Sequence, residues 1–224
     1  MSLYPTISQI AFWGVGDIDE CSILATYWAA KAAGFEGELP SIYAFRAAAG
    51  RPDLPGPTGL TNAQALAGIG GTSLKSMSLV TANGASWDAF AASLKLGGSA
   101  SLSVNSALLP SGVRYDFYGS HSVGLTWQGG KWHIANPLAP DKSAPVAISE
   151  AAIKAAALSF GGGAVVGIIF RPAQPGDVAA PAPVSPLSAP QLPAGFASIP
   201  AFQHHFNDAQ LTAQFYAARS HPVV

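Results

Sequence analysis

The stretch His121-Ser122-Val123-Gly124-Leu125-Thr126-Trp127-Gln128-Gly129-Gly130-Lys131-Trp132-His133-Ile134-Ala135-Asn136-Pro137 reads as two strands joined by a two-residue turn. Gly129-Gly130 can take positive φ at both central positions, the backbone twist that an antiparallel hairpin requires. That turn sets Gln128 opposite Lys131, Trp127 opposite Trp132, Leu125 opposite Ile134 and Val123 opposite Asn136. Side chains alternate between faces with period two, so His121, Val123, Leu125 and Trp127 share a face with Trp132, Ile134 and Asn136. His121 and Asn136 then become diagonal neighbours, about 7–8 Å apart at the backbone and within side-chain reach of each other. His133 falls on the opposite face.

Upstream of the hairpin the chain is helical in its first half. A helix is predicted over 21–33, stopped by Gly34, with Ile23, Leu24, Tyr27 and Trp28 on one face. Others are expected over 41–49, before a Pro/Gly-rich loop at 51–59, and over 61–67. A strand over 74–81 follows, then a helix that Ser86 caps and that carries Trp87, Phe90 and Leu94 inward. Strands are expected over 99–104, 121–128, 131–136 and 164–170, with a helix over 149–158 before the last. Helices first and a mostly antiparallel sheet afterwards describe an α+β domain over residues 1–171.

Beyond Arg171 the composition changes. Pro172, Pro175, Pro181, Pro183, Pro186, Pro190, Pro193 and Pro200 accompany a single charged side chain, Asp177, in an extended linker arm over 172–203. Residues 204–224 are expected to hold a short helix with Leu211, Phe215 and Tyr216 on one face, too short to stand alone in water and suited to docking on a partner or on another copy.

The composition removes several function classes. A net charge of −1 with 10% charged residues provides no basic stripe for a phosphate backbone, so nucleic acid is not an expected partner. No apolar run approaches the length of a membrane span, and the first residues lack the pattern of a signal peptide, so synthesis in the cytoplasm is expected. The one cysteine, Cys21, excludes an internal disulfide and a thiolate zinc cluster. His204, His205 and Asp208 match no strong metal-ligand spacing, and neither metal nor cofactor is expected.

Cys21 stands at the first turn of its helix, where the positive end of the helix dipole and unpaired N–H groups favour thiolate over thiol. The same position also suits an inert packed cysteine. Similarly, an amide oxygen at Asn136 could hold the imidazole of His121 in one tautomer and leave its other nitrogen for a nucleophile. Equally, His121 could simply start a strand and Asn136-Pro137 simply end one.

These residues together carry a resemblance. Asp17-Ile18-Asp19-Glu20-Cys21-Ser22-Ile23-Leu24-Ala25-Thr26 resembles the cysteine-bearing helix start of papain-like cysteine peptidases. His121-Ser122-Val123-Gly124-Leu125 and Ile134-Ala135-Asn136-Pro137 resemble their histidine strand and Asp/Asn-Pro strand. The nearest subgroup is the bacteriocin-leader peptidases and the related domains of phage and bacterial cell-wall lysins. The resemblance implies a papain-like fold and a thiol hydrolase with Cys21 as nucleophile, His121 as base and Asn136 orienting the base. It also implies an oxyanion contact from Gln9, which stands farther upstream of Cys21 than is usual, and an amide substrate such as a peptide or a cell-wall cross-link. Glu20 and Ser22 depart from the usual neighbours of the cysteine. Two alternatives stand beside this reading: acyl transfer by the same residues, and a non-catalytic structural component of a phage particle, such as a tail protein, that keeps the fold.

Overall fold

A computed structural model describes residues 3–8, 21–51, 60–70, 77–81 and 84–172. The chain runs α1 (Cys21–Ala32), α2 (Ile42–Ala48), α3 (Asn62–Ile69), β1 (Met77–Thr81), α4 (Trp87–Lys95), β2 (Ser99–Asn105), a 3-10 turn at Ser106–Leu108, α5 (Ser111–Arg114), β3 (Ser120–Gln128), β4 (Lys131–Ala135), β5 (Val146–Ile148), α6 (Glu150–Phe160) and β6 (Gly167–Pro172). The strands form one six-stranded sheet in the order β1-β6-β2-β3-β4-β5, with every neighbouring pair antiparallel.

Local chemistry accounts for the helix boundaries. Ser41, Thr61, Ser86 and Ser149 each accept a hydrogen bond from a backbone N–H in the first turn, and Gln64 completes a capping box with Thr61. At the end of α1, Gly34 takes φ +95°, its N–H reaches Lys31 O at 3.0 Å, and Phe35 N–H reaches Ala30 O at 3.0 Å. This pairing is a Schellman stop, and it needs a residue that tolerates positive φ.

The sheet separates two apolar clusters, and the alternation along β2 and β3 explains why. Leu102, Val104, Val123 and Leu125 point to one face, where Trp87, Phe90 and Leu94 of α4 and Ile153 and Ala156 of α6 cover them. The other face carries small residues at the alternating positions Ser99, Ser101, Ser122, Gly124 and Thr126. Their size lets α1 lie close against the sheet. Thr26 Oγ1 lies 3.4 Å from Ser101 Oγ, Ser99 Oγ donates to Ala29 O at 2.7 Å, and the Oγ atoms of Ser22 and Ser122 are 3.1 Å apart. Residues 22–30 of α1 are all buried, because α2 and α3 cover the side that the sheet does not, through Ile42, Phe45, Ala65 and Ile69. Burial on every side, with Ser22 and Thr26 hydrogen-bonded where they meet the sheet or the helix backbone, is what such a sandwiched position requires.

Across the first cluster, the carboxylate of Glu150 at the start of α6 accepts from Trp87 Nε1 at 2.9 Å and Trp132 Nε1 at 3.0 Å. Those indole bonds, the Trp87 bond foremost, hold its pKa below the ordinary value. Lys95 lies 3.4 Å from the same carboxylate and 4.8 Å from the Trp127 ring centroid, tying α4 to the hairpin.

Several boundaries differ from the sequence reading. The helix expected to end at 158 continues to Phe160, and the strand expected from 164 starts at Gly167, because Gly162 and Gly163 turn the chain at φ +63° and +99°. β5 was not anticipated, since its three residues include an exposed Val146 and show no alternation. The Pro/Gly-rich loop at 52–59, residues 74–76 of the first expected strand, and the whole C-terminal arm from 173 onward, including the helix expected within 204–224 and His204, His205 and Asp208, lie outside the described residues.

A side chain at Gly124 would overlap the ring of Trp28, which is fully buried and cannot swing away. Gly124→Ala is therefore expected to lower stability by about 1–3 kcal/mol in urea denaturation followed by tryptophan fluorescence. Wild-type stability in that variant would mean that α1 is not seated on β3 in solution.

Candidate active site

The hairpin that carries His121 forms as its glycine pair dictates. Gly129 and Gly130 take φ +59° and +77°, and Gln128 faces Lys131, Trp127 faces Trp132, Leu125 faces Ile134 and Gly124 faces Ala135. The rings of Trp127 and Trp132 meet edge to face at 4.9 Å. One step beyond the last pair lies Asn136, diagonal to His121.

His121 Nε2 and Asn136 Oδ1 are 2.8 Å apart, and the two residues are 5% and 2% exposed. The amide of Asn136 is held from two further directions. Its Nδ2 donates to Val113 O at 2.8 Å, and its Oδ1 accepts from Leu138 N–H at 2.9 Å. A flipped amide would set its NH₂ against the Leu138 N–H and its oxygen against the Val113 carbonyl, so only one orientation satisfies both groups. That orientation turns an acceptor toward the imidazole. Nε2 must then carry the ring proton, which leaves Nδ1 with a free lone pair.

Burial pushes the pKa of His121 down from 6.5 to about 4, while the hydrogen bond with Asn136 pulls it up. The Phe117 ring, 5.1 Å from the imidazole between centroids, lies on the side of the loop that leads into β3. The imidazole is thus neutral at neutral pH, in one tautomer, with a basic nitrogen at Nδ1.

Cys21 is the first residue of α1 and is partly exposed. The bond between Ser22 and Ser122 joins the residue after Cys21 to the residue after His121, which sets the helix start beside the start of β3. Strand alternation directs Ser122 toward α1 and His121 to the other face with Val123 and Leu125. His133 pairs with Thr126, on the α1 side of the sheet, away from His121. Gln9 and residues 17–20, with Glu20 among them, lie outside the described residues. The sequence reading missed Val113 and Leu138, whose backbone groups orient Asn136. A backbone partner has no residue-type signature, and only the Pro137 turn hinted at the Leu138 contact. Among the described residues no group of three or more His, Cys, Asp or Glu side chains could hold a metal ion.

No family model matches the sequence, and no curated protein matches it. Among solved structures, the chain is similar to the crystal structure of a candidate C39-like peptidase from Bacillus anthracis, with a TM-score of 0.50 and 14% identity over 76% of this chain and 96% of that one. The likeness shows the fold: this is an α+β protein with a papain-like fold, in which N-terminal helices pack on an antiparallel sheet. Among the described residues, no helix is long and apolar enough to cross a membrane.

The burial of His121 sets a pH dependence. The unfolded chain takes up this proton near pH 6.5 and the folded chain only near pH 4. Between those values the unfolded state holds more protons, so stability is full above pH 6.5 and falls by about 3 kcal/mol as the pH drops to 4. An NMR titration of the His121 ring is expected to show a midpoint below 5, and Asn136→Asp, which sets a carboxylate beside the ring, is expected to raise it. A midpoint near 6.5 in the native protein would mean that the imidazole is solvated.

Proposed function

We propose that the protein is a thiol hydrolase of amide bonds, with Cys21 as nucleophile, His121 as general base and acid, and Asn136 as the residue that orients the base. The observation that carries this reading is the single orientation of the Asn136 amide, which leaves the basic nitrogen of His121 free in a buried site. In this reading the thiol meets the imidazole around the end of β3, since α1 and His121 address different faces of the strand. Nδ1 takes the thiol proton as Sγ attacks the carbonyl carbon, and returns it to the leaving amine; water then releases the acyl group by the same route. The backbone N–H of Cys21, at the helix start, and Gln9 would receive the oxyanion. The likeness to a candidate C39-like peptidase is consistent with a peptide substrate, and a cell-wall peptide is one form that substrate could take.

Iodoacetamide tests the assignment, because Cys21 is the chain's one thiol. Alkylation at pH 6 is expected to be faster than for a free thiol, and His121→Ala is expected to slow it by roughly 10²-fold. Asn136→Ala should slow it by less while leaving the domain folded. Equal rates for wild type and His121→Ala would identify a packed, inert cysteine and favour the structural reading, in which the fold serves an assembly such as a phage particle.

We also propose that residues 1–171 form the catalytic domain, 172–203 a linker and 204–224 a docking segment. The end of β6 at Pro172 supports the first boundary, because β6 is paired on both sides, with β1 and β2. Removing 173–224 should leave the alkylation rate of Cys21 unchanged and alter the oligomeric state measured by light scattering. A truncated chain that no longer folds would show the segment to be part of the domain.

A further inference from the structure

The loop 106–119 touches both members of the His121–Asn136 pair. Val113 supplies the carbonyl that holds the Asn136 amide, and Phe117 lays its ring beside the imidazole. The loop is closed at its ends through the buried Ser106. Its N–H donates to Gly119 O at 2.9 Å, and its Oγ contacts Phe117 O at 2.8 Å and Gly119 O at 2.9 Å and accepts from Gly119 N–H at 2.9 Å. Between these anchors, Tyr115 and Asp116 take φ +54° and +58°, conformations that cost an L-residue with a side chain and that the closed loop must impose.

The loop leaves an exposed ring, that of Phe117, beside the buried His121 and exposes two more apolar side chains of its own. Of the seven exposed large hydrophobic residues among the described residues, three belong to this loop: Leu108, Phe117 and Tyr118, at 48%, 40% and 63%. Tyr118 is held in place, with the Arg114 guanidinium 4.1 Å from its ring centroid and Arg114 Nη2 donating to its hydroxyl at 2.7 Å. Aromatic rings fixed by their neighbours lose little conformational freedom when something packs on them.

From this placement we infer that Phe117 and Tyr118 select the substrate residue on the leaving-group side of the scissile amide, favouring an apolar or aromatic side chain there. The inference rests on the hydrolase reading above. An imidazole that returns its proton to the leaving amine must lie beside the leaving half of the substrate, so a ring packed on that imidazole lines the same side. The two rings give the wall its apolar part, and the gain there comes from removing substrate surface from water.

Acyl transfer tests the wall without knowledge of the natural substrate. With p-nitrophenyl acetate, Sγ of Cys21 bonds to the acetyl carbon and p-nitrophenolate departs. An added amine then bonds to that carbon, the C–S bond breaks, and the sulfur regains its proton. In the full-length protein, L-phenylalaninamide is expected to capture the acetyl group about tenfold more effectively than glycinamide. Tyr118→Ser, which keeps the contact between Phe117 and His121, should reduce that ratio, and Phe117→Ser with Tyr118→Ser should bring it to within about twofold of unity. A ratio near one in the wild type, or a ratio that survives both substitutions, overturns the inference while the hydrolase reading stands. A p-nitrophenolate burst no larger than that of Cys21→Ala overturns the hydrolase reading and this inference with it.

Discussion

Trp28 packed against Gly124 is the contact on which the arrangement of the candidate site depends. An indole against a bare backbone brings α1 closer to β3 than any side chain at that position would allow. The small residues around it, Ser99, Ser101, Ser122 and Thr126, extend the same close approach along two strands, and polar contacts of Ser99, Thr26 and the Ser22–Ser122 pair set the helix along its own axis. A shift of α1 by one turn would move its first residue by about 5 Å. The position of Cys21 relative to the end of β3 is thus a consequence of packing several residues away.

A second constraint acts on His121. Most histidines choose a tautomer according to whatever partner is nearest, but His121 faces an amide whose own orientation is settled by two backbone groups, at Val113 and Leu138. The information passes from the backbone to Asn136, and from Asn136 to the imidazole. Burial then keeps the ring neutral. The loop between β2 and β3 that supplies the Val113 carbonyl also supplies the Phe117 ring against the imidazole, while the turn after β4 supplies the Leu138 N–H.

The hairpin was legible in the sequence because a Gly-Gly pair permits few alternatives and because the period of a strand turns one register into a full assignment of faces. Helix starts were legible for a similar reason: Ser41, Thr61, Ser86 and Ser149 are side chains that satisfy the orphan N–H groups of a first turn. Elements that lack such chemistry were missed or misplaced. β5 has three residues and no alternation, and the run from Ala164 is apolar enough to pass for strand, although Val165 only bridges to Ala85 and the ladder begins at Gly167.

By itself the sequence determined the α+β class, the hairpin register, the diagonal relation of His121 and Asn136, and a lone cysteine at a helix start, all of which follow from interactions between residues near one another along the chain. Only the tertiary structure decided which way the Asn136 amide turns, how deeply His121 is buried, and which loop stands over it. Those outcomes depend on Val113, Leu138 and Phe117, brought to the site by the closed loop 106–119 and the turn after β4. The carbonyl of Val113 and the N–H of Leu138 are backbone groups that every residue but proline possesses, so no pattern of residue types could have marked them in advance.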